Sequence, residues 1–248
     1  MEVKDMELGE IITDALAYPT KNIPALLIYI VFGVLIGLVA VATGLGSFAL
    51  GQNNVAAGGI LAVLGIIIII ALLFFLLGFS LDIIKFGIDR RDDAPGVDFQ
   101  RHLINGMKYL LIAIVFFILP IIVTMLLFFI FSTWLATVLG VILTILFMFA
   151  FAIATCRLAN SEDIGDALNY NGIMDDFNRI GFSKIILTIV VSVIIGVAVV
   201  LIITFIVGLI VAALRSPQLA SWIIPIVSAV LNTWVLFYSN RVMGLLYS

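Results

Sequence analysis

Residues 60–81 read ILAVLGIIIIIALLFFLLGFSL, a segment without any acidic or basic side chain. It ends a longer charge-free run that begins at Asn22. A helix needs about 20 apolar residues, at 1.5 Å of rise per residue, to cross the hydrocarbon core of a bilayer. The whole run, residues 22–81, is therefore long enough for two membrane spans and a short turn.

Three further charge-free runs cover residues 109–156, 185–214 and 216–240. By the same length argument the first holds two spans and the other two hold one each. The sequence therefore predicts six transmembrane helices. Their expected limits are Pro24–Ala42, Ile60–Leu81, Tyr109–Phe131, Trp134–Ala154, Ile185–Leu214 and Trp222–Tyr238.

The overall composition excludes a soluble fold. Apolar residues make up 64% of the chain and charged residues only 11%, whereas a soluble domain is typically about half apolar and a quarter charged. Too little polar sequence remains to coat a water-soluble core. We therefore expect an all-α polytopic membrane protein with one transmembrane domain, 1–248, and the lipid bilayer as its first partner. The net charge of −3 and the lack of a basic cluster argue against nucleic acid.

The basic residues predict the orientation. Of the twelve Lys and Arg residues, eleven fall in segments on one side of the predicted spans, and Arg215 alone falls on the other. All fifteen acidic residues lie on the side of the eleven. Because Lys and Arg are retained on the cytoplasmic side, we expect a cell-membrane protein with both termini in the cytoplasm.

Short motifs recur along the chain. EIITDALAY at residues 10–18 matches EDIGDALNY at residues 162–170 at six of nine positions, and DFQR at 98–101 returns as DFNR at 176–179. This pattern predicts an internal repeat of three units in parallel orientation, each a cytoplasmic helix followed by an outward and a returning span. The approximate units are 1–81, 82–157 and 158–248.

The cytoplasmic segments are expected to form short amphipathic helices. Residues 8–16 and 173–180 place apolar side chains at helical spacing. The first segment carries its acids on the opposite face, which disfavours contact with anionic headgroups. Such helices could lie along the membrane surface, pack on the bundle or dock a protein partner.

Two sets of residues are candidates for a functional site. Asn232 and Thr233 lie near the centre of the sixth span, and Pro225 and Pro120 interrupt helices. These residues could line a pathway, or they could serve helix packing through hydrogen bonds between spans.

The second set lies at the inner ends of the second, fourth and sixth spans. It consists of Asp82, Arg157, Asn240 and Arg241. These side chains could form a polar ring that gates a cytoplasmic vestibule. They could equally be ordinary flanking charges, paired at the level of the headgroups.

The sequence predicts neither catalysis nor cofactor binding. Cys156 is the single cysteine, and His102, the single histidine, has no neighbouring cluster with metal-ligand spacing. No ionisable residue is expected at the centre of a span, where ion-coupled pumps usually carry one. We therefore expect no catalytic residue, no metal site, no cofactor and no enzymatic activity.

A family resemblance rests on motifs that are spread over most of the chain. These are Gly78-Phe79, Pro95, Asp98-Phe99, Asn105-Gly106-x-Lys108 and Pro120, with an opening from Gly9-Glu10-Ile11-Ile12 to Ala17-Tyr18-Pro19. The pattern resembles an archaeal and bacterial membrane family called domain of unknown function 4013, and the opening resembles its methanogen members. The resemblance implies an archaeal plasma-membrane protein. It carries over no binding or catalytic residue, because the family has no established activity.

Two functions remain open at this stage. The first is a non-enzymatic membrane component that binds itself, or another membrane or cytoplasmic protein, through its cytoplasmic helices; its bundle should have a solid apolar centre. The alternative is a channel or carrier for uncharged or lipid-like solutes, which should enclose a cavity. The expected lining of that cavity is Asn232, Thr233, Ser228, Thr188 or Thr144.

Overall fold

A computed structural model describes residues 6–214 and 217–248, and gives the side chains of 6–213 and 223–248. Arg215 and Lys4 lie outside the described residues. All regular secondary structure in the described part of the chain is helical, as predicted. The helices are α1 (Leu8–Lys21), α2 (Ile23–Gly51), α3 (Val55–Ile88), α4 (Phe99–Ile130), α5 (Thr133–Ser161), α6 (Ile164–Ala167), α7 (Tyr170–Ile180), α8 (Phe182–Leu214) and α9 (Pro217–Tyr247).

Six of these helices are long and apolar enough to cross a membrane: α2, α3, α4, α5, α8 and α9. Large apolar side chains such as Phe48, Phe129 and Leu201 project from their outer surfaces. An apolar surface of this extent is unfavourable in water and is matched by lipid tails. The predicted all-helical, six-span architecture is confirmed.

Several helices run beyond the predicted spans. α3 continues past Leu81 to Ile88, α4 begins at Phe99 instead of Tyr109, and α9 reaches Tyr247. A charge-free run measures only the length that lipid can solvate. The helical hydrogen bonds continue where neighbouring helices and water accommodate polar side chains, so charged residues such as Asp82 lie on the bundle helices themselves.

The six long helices form an inner and an outer layer. The inner helices α3, α5 and α9 pack on one another. Of the outer helices, α2 packs on α3 and α9, and α4 packs on α3 and α5. α8 packs mainly on α9 and meets α5 through side chains, with the rings of Phe149 and Phe182 6.0 Å apart. In the described residues, α5 and α8 therefore meet through side chains more than through close approach of their backbones.

Glycines allow the closest helix crossings. A Cβ atom at Gly78 of α3 would lie 1.9 Å from the carbonyl oxygen of His102 in α4, and one at Gly106 would lie 1.9 Å from that of Phe74. Only glycine fits such contacts between backbones. By contrast, added Cβ atoms at Gly33 and Gly37 of α2 would meet nothing within 4 Å, so none of the described helices packs closely on that pair.

The short helices cover one end of the bundle, which we call the charged end. It comprises α1, α6 and α7 with the nearby ends of α3, α4, α5, α8 and α9. The apolar face of α1, with Ile11 and Ala15, is buried with Val242 of α9, and Ile173 of α7 joins the main core cluster. The amphipathic faces predicted for these segments are therefore covered by the chain itself.

The repeated motifs adopt different local structures. Residues 10–18 lie within one continuous helix, whereas residues 162–170 begin in a left-handed turn at Glu162 (φ 56°) and are split between α6 and the start of α7. Asp98 caps the N-terminus of α4, whereas Asp176 lies inside α7. The three-unit repeat stays a prediction.

Candidate binding cavities and the charged end

A central cavity of about 470 Å³ lies among the inner helices α3, α5 and α9. Its lining is mostly apolar, and none of the residues that line it is charged. The polar groups on its wall are neutral: Tyr29, Ser80, Tyr109, Thr155 and Asn240. This cavity can therefore accept an uncharged polar group, because an ion would lose its hydration there without a counter-charge.

The polar groups on the inner helices differ in how far they are satisfied. The Ser80 hydroxyl donates to the carbonyl oxygen of Leu76 (2.9 Å), and the Thr155 hydroxyl donates to that of Phe151 (2.8 Å). Both hydroxyl oxygens keep acceptor capacity. The Asn240 Nδ2 atom is buried and has no hydrogen-bond partner among the described residues.

A second cavity, of about 790 Å³, opens at the side of the bundle. We call it the lateral cleft. It lies between α4 and α5 on one side and α7 and the start of α8 on the other, and includes Phe116, Leu146, Ala150 and Phe177. No charged residue lines it, and its size falls within the usual range of small-molecule sites.

Phe149 of α5 lines both cavities. Its ring also contacts Phe182 at the start of α8. One aromatic side chain therefore belongs to the wall of the central cavity and to the wall of the lateral cleft, where α5 faces α8.

The charged end contains a buried cluster around Asp82 of α3. Arg101 of α4 donates to the Asp82 carboxylate (2.8 Å) and to Glu162 (2.9 Å). His102 Nε2 lies 2.9 Å from the other oxygen of Asp82. These contacts compensate the charge of a carboxylate that is almost fully removed from water.

His102 is fully buried, which the sequence reasoning missed. Its ring lies edge-on to Phe75 (5.1 Å) and Phe79 (5.4 Å), and Gly78 gives α4 the close approach that places it there. One feature of the sequence could have indicated this burial. Asp82 is an isolated acid at the end of a span, and it requires a partner from the next helix.

Glu162 joins α3, α4 and α5 at the charged end. Its carboxylate accepts hydrogen bonds from Arg101, Asn105 (3.1 Å) and Lys85 (3.0 Å), and its carbonyl oxygen accepts one from Lys108 (2.7 Å). Burial alone would raise the pKa of Glu162, but these hydrogen bonds lower it to about 2.

Arg157 at the end of α5 forms a second network. Its guanidinium forms ion pairs with Asp166 and with Asp176 (2.8 Å), and the Tyr247 hydroxyl donates to Asp176 (2.8 Å). Gly172 leaves room for this guanidinium, because a Cβ there would lie 2.5 Å from it.

Arg241 of α9 forms a third network and is only 1% exposed. Its guanidinium donates to Asp14 of α1 (2.7 Å) and to the Phe86 carbonyl oxygen (3.1 Å). Asp92 lies 3.4 Å away, and the Tyr18 ring centroid lies 4.6 Å from its central carbon. A buried arginine is tolerated only with compensation of this kind.

A family model described as a protein of unknown function (DUF4013) matches residues 63–212, which is more than half of the chain. The chain belongs to this family. No curated protein and no solved structure matches the chain. The DUF4013 match runs from α3 into α8, so it includes all the helices that line the lateral cleft.

The DUF4013 structure places the residues of the expected polar ring on the three inner helices. Asp82, Arg157 and Arg241 each belong to a different network, and Asn240 lines the central cavity. Among the described residues, no hydrogen bond or ion pair joins any two of these four side chains. The ion pairs favour the interpretation of Asp82, Arg157 and Arg241 as paired charges that flank the spans.

The residues singled out in the sixth span do not meet in one place. Asn232 is exposed and lines a groove between α8 and α9, whereas the buried Thr233 donates to the Ala229 carbonyl oxygen (2.9 Å). Pro225 is exposed and Pro120 is buried. Neither the central cavity nor the lateral cleft is lined by the residues expected for a carrier, namely Asn232, Thr233, Ser228, Thr188 and Thr144.

In the part of the chain that the structure describes, no group of three or more His, Cys, Asp or Glu side chains could hold a metal ion. Cys156 is buried, and its Sγ lies 3.6 Å from the Met243 carbonyl oxygen. Its thiol therefore takes part in the packing between α5 and α9.

Proposed function

We propose that this DUF4013 protein is a non-enzymatic component of the plasma membrane that binds uncharged, lipid-like molecules within its helix bundle. The single observation that carries the proposal is the lateral cleft. It is large, it has no charged lining residue, and it opens on a bundle surface that faces lipid.

The cleft suits an apolar chain better than a soluble ligand. Its wall consists mainly of apolar side chains of α4, α5, α7 and the start of α8, and Tyr170 and Asn178 are its polar residues. A chain that leaves the bilayer for this cleft exchanges one apolar environment for another, so close van der Waals packing is the main gain. The aromatic rings at its wall supply large, rigid contact surfaces.

The proposal includes an orientation. Every described Lys and Arg side chain lies at the charged end. If these residues face the cytoplasm, as the asymmetry of basic residues indicates, both termini are cytoplasmic and the lateral cleft opens into the cytoplasmic leaflet. The ligand would then enter from that leaflet without passing through water.

Docking of a protein on the cytoplasmic helices has less support. The apolar faces of α1 and α7 are already buried against the bundle, and Asp14, Asp166 and Asp176 are paired with arginines. What α1 leaves exposed is a small polar face that includes Glu7 and Glu10. A partner that uses this face would be held by exposed charges, which contribute little binding free energy.

The experiment uses the full chain in liposomes with a diacylglycerol that carries a diazirine in one acyl chain. Ala150→Phe places a ring in the lateral cleft, and we expect it to reduce photo-cross-linking roughly tenfold, as a loss of about 1.4 kcal/mol would. Ala198→Phe makes the same change at an exposed position of α8 and should leave cross-linking unchanged. Equal cross-linking in both variants would contradict binding in the cleft.

A further inference from the structure

We infer that the central cavity holds the uncharged, hydrogen-bonding head of the molecule whose apolar chain occupies the lateral cleft. The inference rests on the proposed function and adds the chemical class of the ligand, an alcohol or an ester with a long apolar chain. The site consists of neutral polar side chains on the three inner helices, with Phe149 at the boundary between head and chain.

Each of the three inner helices carries a neutral polar residue shortly before a charged one. Ser80 of α3, Thr155 of α5 and Asn240 of α9 line the central cavity. Each is followed, one or two residues later, by a charged residue that is held in a network outside the cavity. The charges are thus kept away from the cavity, and neutral groups remain on its wall.

These neutral groups define what a ligand must offer. The Ser80 and Thr155 hydroxyls spend their protons on their own helices, so each oxygen keeps acceptor capacity, part of which Ser80 shares with the Tyr29 hydroxyl. Asn240 lines the same cavity, and its Nδ2 atom, which is buried in the wall, has no hydrogen-bond partner among the described residues. An unmet buried donor is unfavourable, and a ligand oxygen that met Nδ2 after a turn of the Asn240 side chain would remove that cost. A hydroxyl group can accept from Asn240 and donate to a hydroxyl oxygen.

No charged residue lines the central cavity, which disfavours an ionic head group. A phosphate or carboxylate in this cavity would lose its hydration without a cation to replace it. A plain hydrocarbon would leave the Asn240 donor unmet. The cavity therefore disfavours two classes of ligand: those with a charged head group and hydrocarbons without a polar head group.

Phe149 connects the two parts of the site. Because Phe149 lines both cavities, an amphiphile with its chain in the lateral cleft would have to pass this residue to place its head in the central cavity. Ile189 of α8 and Met243 of α9 belong to the wall of the central cavity. The geometry assigns the chain to the α4–α5–α8 side and the head to the inner helices.

The test is competition against the diazirine diacylglycerol by three probes with the same sixteen-carbon chain: hexadecanol, hexadecane and hexadecyl phosphate. Each competitor is dosed by its mole fraction in the liposome, which removes differences in partitioning. For the wild-type chain we expect hexadecanol to displace the diacylglycerol roughly tenfold more effectively than hexadecane, equivalent to about 1.4 kcal/mol. Hexadecyl phosphate should be no better than hexadecane.

Variants assign the effect to the cavity. Asn240→Leu and Thr155→Val should each bring hexadecanol close to the level of hexadecane and leave competition by hexadecane itself unchanged. The matched controls are Ser239→Ala, beside Asn240 but in the α8–α9 groove, and Thr144→Val, on the exposed side of α5. Both controls should keep the preference for hexadecanol.

The possible failures are distinguishable. The proposed function fails if the diacylglycerol does not cross-link to the wild-type chain, or if it cross-links equally to the wild type and to Ala150→Phe. If it is cross-linked in the cleft but hexadecanol and hexadecane compete equally, the central cavity holds water only and this inference alone is overturned. A preference for hexadecanol that survives in both Asn240→Leu and Thr155→Val also overturns it.

Discussion

Arg241 near the end of α9 donates a hydrogen bond of 2.7 Å to Asp14 of α1, which joins the last helix of the chain to the first. Asp14 and Asp166 occupy the same position in the repeated EIITDALAY and EDIGDALNY sequences. Each pairs with an arginine near the end of an inner helix, Arg241 in one case and Arg157 in the other. The shared pairing favours the predicted repeat, although the two backbones differ.

Replacing Arg241 should strongly destabilise the bundle. Arg241→Met leaves Asp14 without its partner and the carbonyl oxygen of Phe86 without this donor. Breaking a buried ion pair from one side costs about 3–5 kcal/mol. We expect a large fall in the thermal unfolding temperature of the detergent-solubilised protein. This temperature is measured by size-exclusion chromatography of samples heated to a series of temperatures.

The matched control for this variant is Arg91→Gln. Arg91 pairs with Asp93 on the exposed surface (2.6 Å), and such pairs contribute about 0–1 kcal/mol. It should unfold near the wild-type temperature. Similar losses for both substitutions would mean that burial of Arg241 does not stabilise the fold.

Adding one methyl group at the α3–α4 crossing should be more harmful than adding it elsewhere. Gly78→Ala and Gly106→Ala place a carbon against the backbone of the facing helix, and overpacking of this kind costs about 1–3 kcal/mol. Gly33→Ala and Gly37→Ala meet nothing within 4 Å, and should be neutral or stabilising by up to about 1 kcal/mol through helix propensity. The four variants are compared by their unfolding temperatures in detergent. Destabilisation by the Gly33 and Gly37 changes would point to a close contact with another copy of the chain.

Glu162 should make stability depend on acidic pH. Its hydrogen bonds lower its pKa from 4.5 to about 2 in the folded protein. The stabilising contribution is therefore complete above about pH 4.5 and is lost as the pH falls towards 2. We expect the unfolding temperature of the wild type in a nonionic detergent to fall over that interval.

Glu162→Gln should unfold at a lower temperature than the wild type at pH 7 and should lose less on acidification. Asp163→Asn is the control, because Asp163 caps α6 and Asn caps helices equally well. Its pH profile should follow the wild type. Parallel profiles for the wild type and Glu162→Gln would show that another carboxylate governs the acid transition.

The orientation can be tested with single cysteines in a Cys156→Ser background. Gln52 is exposed at the end of the bundle opposite the charged end, and Thr20 is exposed at the charged end. A membrane-impermeant maleimide applied to intact cells should label Gln52→Cys and should label Thr20→Cys only after the cells are opened. The reverse pattern would place the charged end outside the cell.

The six spans were predictable because lipid imposes a simple rule on sequence: about 20 residues without charge. That rule says nothing about which helices are inner. The layer arrangement depends on contacts such as that of Gly78 with His102. There the helices approach closely because glycine has no side chain.

The candidate site was predicted only in part. Asn240 was singled out for its place at a span end, but as a member of a ring with Asp82, Arg157 and Arg241. Its place on the cavity wall follows from how α9 packs against α3 and α5, which spacing alone does not reveal. The apolar lateral cleft leaves no signal in the sequence, because Leu and Phe residues that line it look the same as those that face lipid.

The measurement that tests the central claim most directly is the location of photo-adducts from the diazirine diacylglycerol. Peptide mass spectrometry of the cross-linked full chain should find them concentrated on the lateral cleft, at residues such as Leu146 of α5 and Phe177 of α7. Adducts spread evenly over lipid-facing positions such as Leu38 and Leu201 would contradict the account.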